Sequence, residues 1–585
     1  MNSRALSLLA AGLLAASCAS HPAPRSDGKP AAARVASAAV TPEAAYRQAA
    51  DRIYDQWLDL NPSRAVSLGF HQYDGKLSDR SPAAVQKRVA WLKAARTELE
   101  QLAPAALSDG ARLEREILLT ALRGGLFNIE VRRAPQRDLN FYLGELDFLN
   151  YITRDWKPLD DRARDVITLC RATPALVAAA RGNLDAKLPK TFLQIGLIGV
   201  NGQISFLKKD VTEALSKVST PALVKEVGDA VAVAVAAYGE LRDDLEKRKA
   251  QATDDFALGE ANFLRMLEET EGVHLDLATL EKAGQADLER NLTALKAAAA
   301  AFAPGKPLAE ALKAAFDDRP AATDVLRVAG EQLVAMRKFV VEHPIASVPS
   351  EELAVARESP PFMRFNSAFL RSAGAFEQKP QPSFYFISGP DPTWPAAEQR
   401  AYIPSRDRLL AITIHEVWPG HFLDFLDRRN HPSRAARTFG SYATSEGWAH
   451  YTEEMMWQEG AMGASPRAHL AQIVEALTRD VRFLSALGLH TRGMTVEQST
   501  QLFLEKAFTD PGTAKQQAVR GTFDPMYLNY TLGKLMILKL RDDWKAKVGP
   551  AYSLRAFHDA FLAQGGAPLP VIRAALLGPN AGPPL

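Results

Sequence analysis

Apolar residues recur at spacings of three and four along most of this chain, the signature of amphipathic helices. The pattern covers 43–60, 82–103 and 108–130. It continues over roughly 159–185, 208–249, 255–269, 276–303, 307–315 and 322–343. Thr41-Pro42-Glu43 opens the first of these as an N-cap, a first-turn proline and an acidic first turn. Asn61 to His71 lies between helical segments, and the alanine run Ala297 to Ala301 predicts close helix packing. The pattern changes at 350–404, where prolines recur at 360, 361, 380, 382, 390, 392, 395 and 404. Within it Ser383-Phe384-Tyr385-Phe386-Ile387 and Arg400-Ala401-Tyr402-Ile403 read as short strands. Such a strand either forms a plain hairpin or offers an edge to a peptide backbone. Helical spacing then resumes at 405–429, 440–459, 465–487, 495–508, 512–519, 525–548 and 551–563. The expected fold is predominantly α: one large helical domain over 41–585, bilobed around a cleft, with a small antiparallel β insert before residue 405.

Composition changes this picture little. Hydrophobic residues make up 47% and charged residues 24% of the 585, as in ordinary globular proteins. A formal net charge of +2 and the lack of a basic block argue against a nucleic-acid partner. The two cysteines are Cys18 and Cys170. Cys170 ends the apolar run Val166-Ile167-Thr168-Leu169 and reads as a buried thiol.

The amino terminus is organised for export. Arg4 precedes the apolar run Ala5 to Ala16, then Ser17-Cys18, so 1–18 reads as a secretory signal. Leu14-Ala15-Ala16-Ser17-Cys18 resembles a bacterial lipobox, with Ala15 where leucine is commoner. The resemblance implies lipidation of Cys18, and the plainer alternative is an ordinary cleaved signal. Ala19 follows, where an aspartate would imply inner-membrane retention, so an outer-membrane lipoprotein is expected. Residues 19–40, rich in Ala, Pro, Ser and Gly, read as a flexible tether.

The candidate chemistry lies in two stretches. Ile414-His415-Glu416-Val417-Trp418-Pro419-Gly420-His421 carries two imidazoles and a carboxylate, and Ser445-Glu446-Gly447-Trp448-Ala449-His450-Tyr451-Thr452-Glu453-Glu454 follows. Imidazole and carboxylate are the usual ligands of hydrolytic zinc. His415 and His421 stand six apart, however, and on an unbroken helix six residues turn about 600°, so the rings diverge by about 120°. Pro419 removes a helical donor and Gly420 tolerates unusual backbone angles, so a local bulge is expected to return His421 to the face of His415. Glu446 is then the expected third ligand, with His450 as the alternative. His450 and Glu453 share the Glu446 helix face and could orient a ligand imidazole.

These stretches, His-Glu-x-x-Pro-Gly-His and Glu-Gly-Trp-Ala-x-Tyr, resemble the bacterial DUF885 family along nearly the whole mature chain. Asn61-Pro62 through Leu68-Gly69, Gln72-Tyr73-Asp74, Tyr530-x-x-Gly533 and Leu540-Arg541 resemble its terminal signatures. The chain departs from it at His421-Phe422-Leu423-Asp424, where His-His-Leu-Gln is common. The resemblance implies a zinc gluzincin, with Glu416 polarising a water and moving its proton. Pro525-Met526-Tyr527-Leu528-Asn529-Tyr530 is distantly similar to a segment of the angiotensin-converting-enzyme-like dipeptidyl carboxypeptidases. That similarity implies Tyr530 as oxyanion donor and Tyr527 as a substrate-carboxylate contact; helix packing is the alternative for both. His490 and Arg520 are weaker candidates for substrate contact.

The expectation is therefore an exported, lipid-anchored zinc metallopeptidase. It holds one Zn²⁺ per chain through His415, His421 and Glu446, and acts on short peptides as an oligopeptidase or exopeptidase. The rivals are a binding protein with a non-catalytic metal and a hydrolase of non-peptide amides.

Overall fold

A computed structural model describes residues 41–364 and 367–585. The expected signal peptide, tether and lipidated Cys18 lie outside the described residues. Pro42–Leu585 form one unit, and no helix among the described residues is long and apolar enough to cross a membrane.

Helices carry nearly all of it. The first helix runs Pro42–Leu60, and the next long ones are Pro82–Gln101 and Asp109–Leu126. Ser81 and Ser108 cap the latter two by accepting from the backbone three residues on. The apolar faces of all three merge with residues of the last third of the chain, from Ile403 to Ile572, in one core cluster. A second core joins Leu159–Asn183, Lys190–Phe206 and Pro221–Arg248. Cys170 is sealed in it, and burial pushes its thiol up to about 12. A third core packs Leu277–Phe302 on Pro466–Thr491.

Three strands lie between the cores: β1 (Ala354–Glu358), β2 (Ala368–Arg371) and β3 (Ser383–Ile387), in the order β1-β3-β2. β3 is buried throughout, and its alternation explains why. Phe384 and Phe386 point into the second core, while Tyr385 and Ile387 point into the first. The central strand therefore carries five residues with no solvent face, and β2 is left as an edge.

Several expectations are corrected. The insert is mixed rather than antiparallel, since β1 pairs parallel to β3 while β2 pairs antiparallel. Arg400–Ile403 is no strand: Pro395 starts a helix over Ala396–Tyr402, where alanine, glutamate and glutamine outweigh the one strand-forming residue, Tyr402, and Ile403 lies just past its end. Pro62–Leu68 is helical, entered through a first-turn proline. The expected helix at 208–249 is two pieces, because Thr220 caps a fresh start at Pro221. Lys190–Phe206 and Leu569–Leu577 are helices that the spacing did not reveal.

Candidate metal centre

The helix Arg406–Glu416 ends on the His-Glu pair, and a new helix, His421–Arg428, begins on the second histidine. The expected bulge is a full break. Gly420 N reaches back to the Ile414 carbonyl at 3.0 Å across a cis Trp418–Pro419 peptide. A Cβ on Gly420 would lie 1.8 Å from the His415 carbonyl oxygen, so only glycine allows this closure. Trp448 donates its indole N–H to the Pro419 carbonyl at 2.9 Å, fastening the break to the helix Tyr442–Gln458.

The break brings the two rings to 4.9 Å between centroids, nearly perpendicular. Glu446, in the second turn of Tyr442–Gln458, places Oε2 3.3 Å from Nε2 of both His415 and His421. One ligand atom from each of the three lies within 4.8 Å of the others. Glu446 Oε2 is buried and makes no hydrogen bond among the described residues. A buried carboxylate oxygen without a hydrogen bond, between two imidazole nitrogens, is the donor set that zinc takes.

The electrostatics agree. Burial opposes charge on His415, but the carboxylates of Glu446 and Glu453 outweigh it and raise the imidazole to about 9. Burial likewise opposes charge on Glu446, yet His421 and His415 hold its carboxyl well below the usual range. Two carboxylates thus draw positive charge into a buried pocket, a role a divalent cation fills more completely.

Glu453 supports the centre from behind, its Oε1 2.7 Å from His415 Nδ1. It also meets Arg479 at 3.1 Å; Arg479 pairs with Glu475, and Glu475 with Arg408 at 2.7 Å. Sequence reasoning missed Arg479, Glu475 and Arg482. The signal for them was three charges at helical spacing, 475, 479 and 482, on one side of the helix Pro466–Thr491. His450 is fully buried, 3.6 Å from Glu453 Oε2, and stands apart from the three-residue cluster. Burial and nearby Lys534 lower it to about 4, so it stays neutral.

Two cavities meet at the cluster. One of 600 Å³ is lined by Arg64, Asp147, Arg371, Asp424 and Arg428, the other, of 270 Å³, by Glu416, Arg408, Arg482, Arg520 and Tyr530. His421, Glu446, Phe369 and Leu370 line both. The free edge of β2 therefore runs past the cluster, and Leu370 N–H donates to Glu416 Oε2 at 2.8 Å. Asp424, the departure noted above, pairs with Arg428 at 2.6 Å.

Tyr530 opens the helix Asn529–Val548, its ring stacked 6.0 Å from that of His415. Close helix approach puts it there: a Cβ on Gly533 would fall 2.1 Å from the Ala443 carbonyl oxygen, and one on Gly447 2.5 Å from Gly533 Cα. Burial and the Glu446 charge raise the Tyr530 phenol, so it stays protonated. Arg520 reaches its hydroxyl at 3.4 Å and that of Tyr442 at 3.0 Å. Tyr527 and His490 are not brought to either cavity. Tyr527 is fully buried with its hydroxyl against Gly521, because its short 3₁₀ turn faces the core. His490 holds the Gly521 carbonyl at 2.8 Å and accepts from Leu258 N.

The comparisons agree with this architecture. The family model for DUF885, a bacterial protein of unknown function, matches residues 62–576. A Shewanella oneidensis protein, provisionally described as a lipoprotein of unknown function, superposes with a TM-score of 0.74 at 23% identity. The match covers 91% of this chain and 99% of that one. Another from Colwellia psychrerythraea, also provisionally described as a lipoprotein, gives 0.77 at 17% identity, covering 92% and 99%. At such identities the likeness is one of fold. No curated protein matches the chain. With the family model spanning nearly all of the described residues, the chain belongs to the DUF885 family.

Proposed function

We propose that this protein is a zinc-dependent hydrolase of peptide bonds in short peptides, built on a zincin-like helical cleft. The observation that carries the reading is the convergence of His415, His421 and Glu446 with Glu416 beside them on the cavity wall. A site that only bound metal would need no carboxylate base next to its ligands.

His415, His421 and Glu446 would hold the ion, which supplies Lewis acidity and lowers the pKa of a water. The chain's own groups do the rest. The edge of β2 pairs with an extended substrate backbone, carrying it from one cavity to the other past Glu446. Glu416, steadied through Oε2 by the Leu370 amide, takes a proton from the attacking water. The water oxygen bonds to the scissile carbon as the carbonyl oxygen gathers charge, and the Tyr530 hydroxyl donates to that oxygen. Glu416 then passes the proton to the leaving nitrogen as the C–N bond breaks. Arg520 holds the Tyr530 hydroxyl in place.

The provisional lipoprotein descriptions of the two structural relatives support export with a lipid anchor, on this proposal at Cys18, with the enzyme in the bacterial periplasm or at the cell surface. The test is digestion of a mixed peptide library by wild type and Glu416→Gln. Chelator-sensitive cleavage by the wild type alone is the expected result. No cleavage by a zinc-loaded wild type removes the peptide assignment in favour of binding or of another amide.

A further inference from the structure

Four arginines line the smaller cavity, and three of them meet a carboxylate. Arg408 pairs with Glu475, Arg479 with Glu453 and Glu475, and Arg520 with Asp524. Arg482 is the exception. It is 9% exposed, and its Nε donates to the Gln517 amide oxygen at 2.8 Å. It meets no carboxylate among the described residues, and its two terminal nitrogens make no hydrogen bond there. Burial and the neighbouring Arg520 charge both disfavour its cationic form. Its guanidinium lies over the Tyr530 ring, and an anion arriving with the ligand would supply the opposite charge that the protein does not.

Its position relates that anion to the reacting bond. The Tyr530 ring lies 6.0 Å from the His415 ring and 4.8 Å from the Arg482 guanidinium carbon. These distances bound the span at about 11 Å; an ion pair takes ~4 Å of it, and an extended chain advancing ~3.4 Å per residue covers the rest with about two residues. The cavity at this end is small, 270 Å³, while the one on the other side of the cluster is 600 Å³. Gln517 occupies Nε and leaves the fork of Nη1 and Nη2 for a planar, two-oxygen partner.

We propose that Arg482 binds the free terminal carboxylate of the peptide, so that the enzyme removes about one or two residues from the carboxyl end. This rests on the hydrolase reading above and deepens it. The long part of the substrate lies in the larger cavity, and the short leaving piece ends on Arg482. An acidic side chain offers the same carboxylate chemistry, and the experiment separates the two sources.

The experiment is calorimetric titration of zinc-loaded Glu416→Gln, which binds without turnover. The ligands are trialanine, trialanine amide and the amide of Ala-Ala-Asp. Blocking the carboxylate is expected to weaken binding at least ~10-fold, because a site built for a charged partner rejects an analogue lacking it. Adding Arg482→Gln should bring acid and amide within ~3-fold, with Arg482→Lys between, since lysine keeps charge without the fork. Equal binding of trialanine and its amide to Glu416→Gln overturns the proposal without any Arg482 variant. So does an Ala-Ala-Asp amide that binds as tightly as trialanine, which would assign the site to a side chain. If Arg482 instead only polarises Tyr530, its replacement lowers kcat alike for free and amidated peptides, and that also overturns it. A carboxylate preference in a protein that cleaves no peptide would leave this site standing and remove the hydrolase reading.

Discussion

His415 Nδ1 and Glu453 Oε1 lie 2.7 Å apart in a buried pocket, and this contact decides which imidazole nitrogen faces the cleft. With Nδ1–H donating to Glu453, the Nε2 lone pair points at Glu446 and His421. Supporting carboxylates of this kind typically contribute ~10–100-fold to metal affinity. Glu453→Gln should therefore weaken zinc binding by about that factor, measured by competition with a chromophoric chelator. Unchanged affinity would mean that the ring is oriented by packing alone.

The break between the two histidines depends on Gly420. Alanine there must push the His415 carbonyl aside, since its Cβ would start 1.8 Å from that oxygen. Gly420→Ala should keep the helical circular-dichroism signal, lose roughly 1–3 kcal/mol of stability and lose stoichiometric zinc. Full zinc occupancy in this variant would show that the histidines meet without the tight closure.

Helices were legible because their apolar faces repeat within each element, and the ends at Leu60, Leu126 and Phe302 fall close to where the spacing stops. The sheet was not. β3 is apolar on both faces because two cores meet at it, and nothing local to Ser383–Ile387 encodes a parallel partner at Ala354–Glu358. His415, His421 and Glu446 were legible as candidate ligands by residue type, and Pro419-Gly420 signalled an irregularity between the two histidines. Its form was not, because it depends on the Trp448 contact from another helix. Arg482 was missed since its charge acquires meaning only when Gln517 and Tyr530 fold around it.

A second buried charge tests the scaffold behind Tyr530. Lys534, fully buried one turn further along the same helix, meets Asp287 at 2.6 Å and Glu454 at 3.7 Å. Removing one partner of a buried pair leaves the other uncompensated, so Lys534→Met should lower unfolding free energy by ~3–5 kcal/mol in urea. A loss under ~1 kcal/mol would mean that Asp287 finds Arg290 sufficient or takes up a proton.

His71 gives the fold a pH dependence away from the site. It stacks on Trp156 at 4.5 Å and contacts Asp74 at 3.1 Å and Glu377 at 3.0 Å. Burial opposes its charge, but these carboxylates raise the imidazole to about 9. Because the folded value exceeds the unfolded ~6.5, the contribution is complete below that pH and is lost as pH rises through about 9. It is on the order of 2 kcal/mol after allowance for partial exposure. Wild type should therefore lose its stability advantage over His71→Gln between pH 6 and pH 9.5 in paired urea titrations. A difference independent of pH would assign His71 to packing alone.

The central claim is that His415, His421 and Glu446 hold a catalytic zinc with Glu416 as its base. Metal content and peptide cleavage, measured together on wild type, Glu416→Gln and His421→Ala, test it most directly. The account predicts about one zinc per chain in the first two, little in the third, and cleavage only by the wild type. Wild type that carries no zinc, or Glu416→Gln that cleaves as fast as wild type, would contradict it.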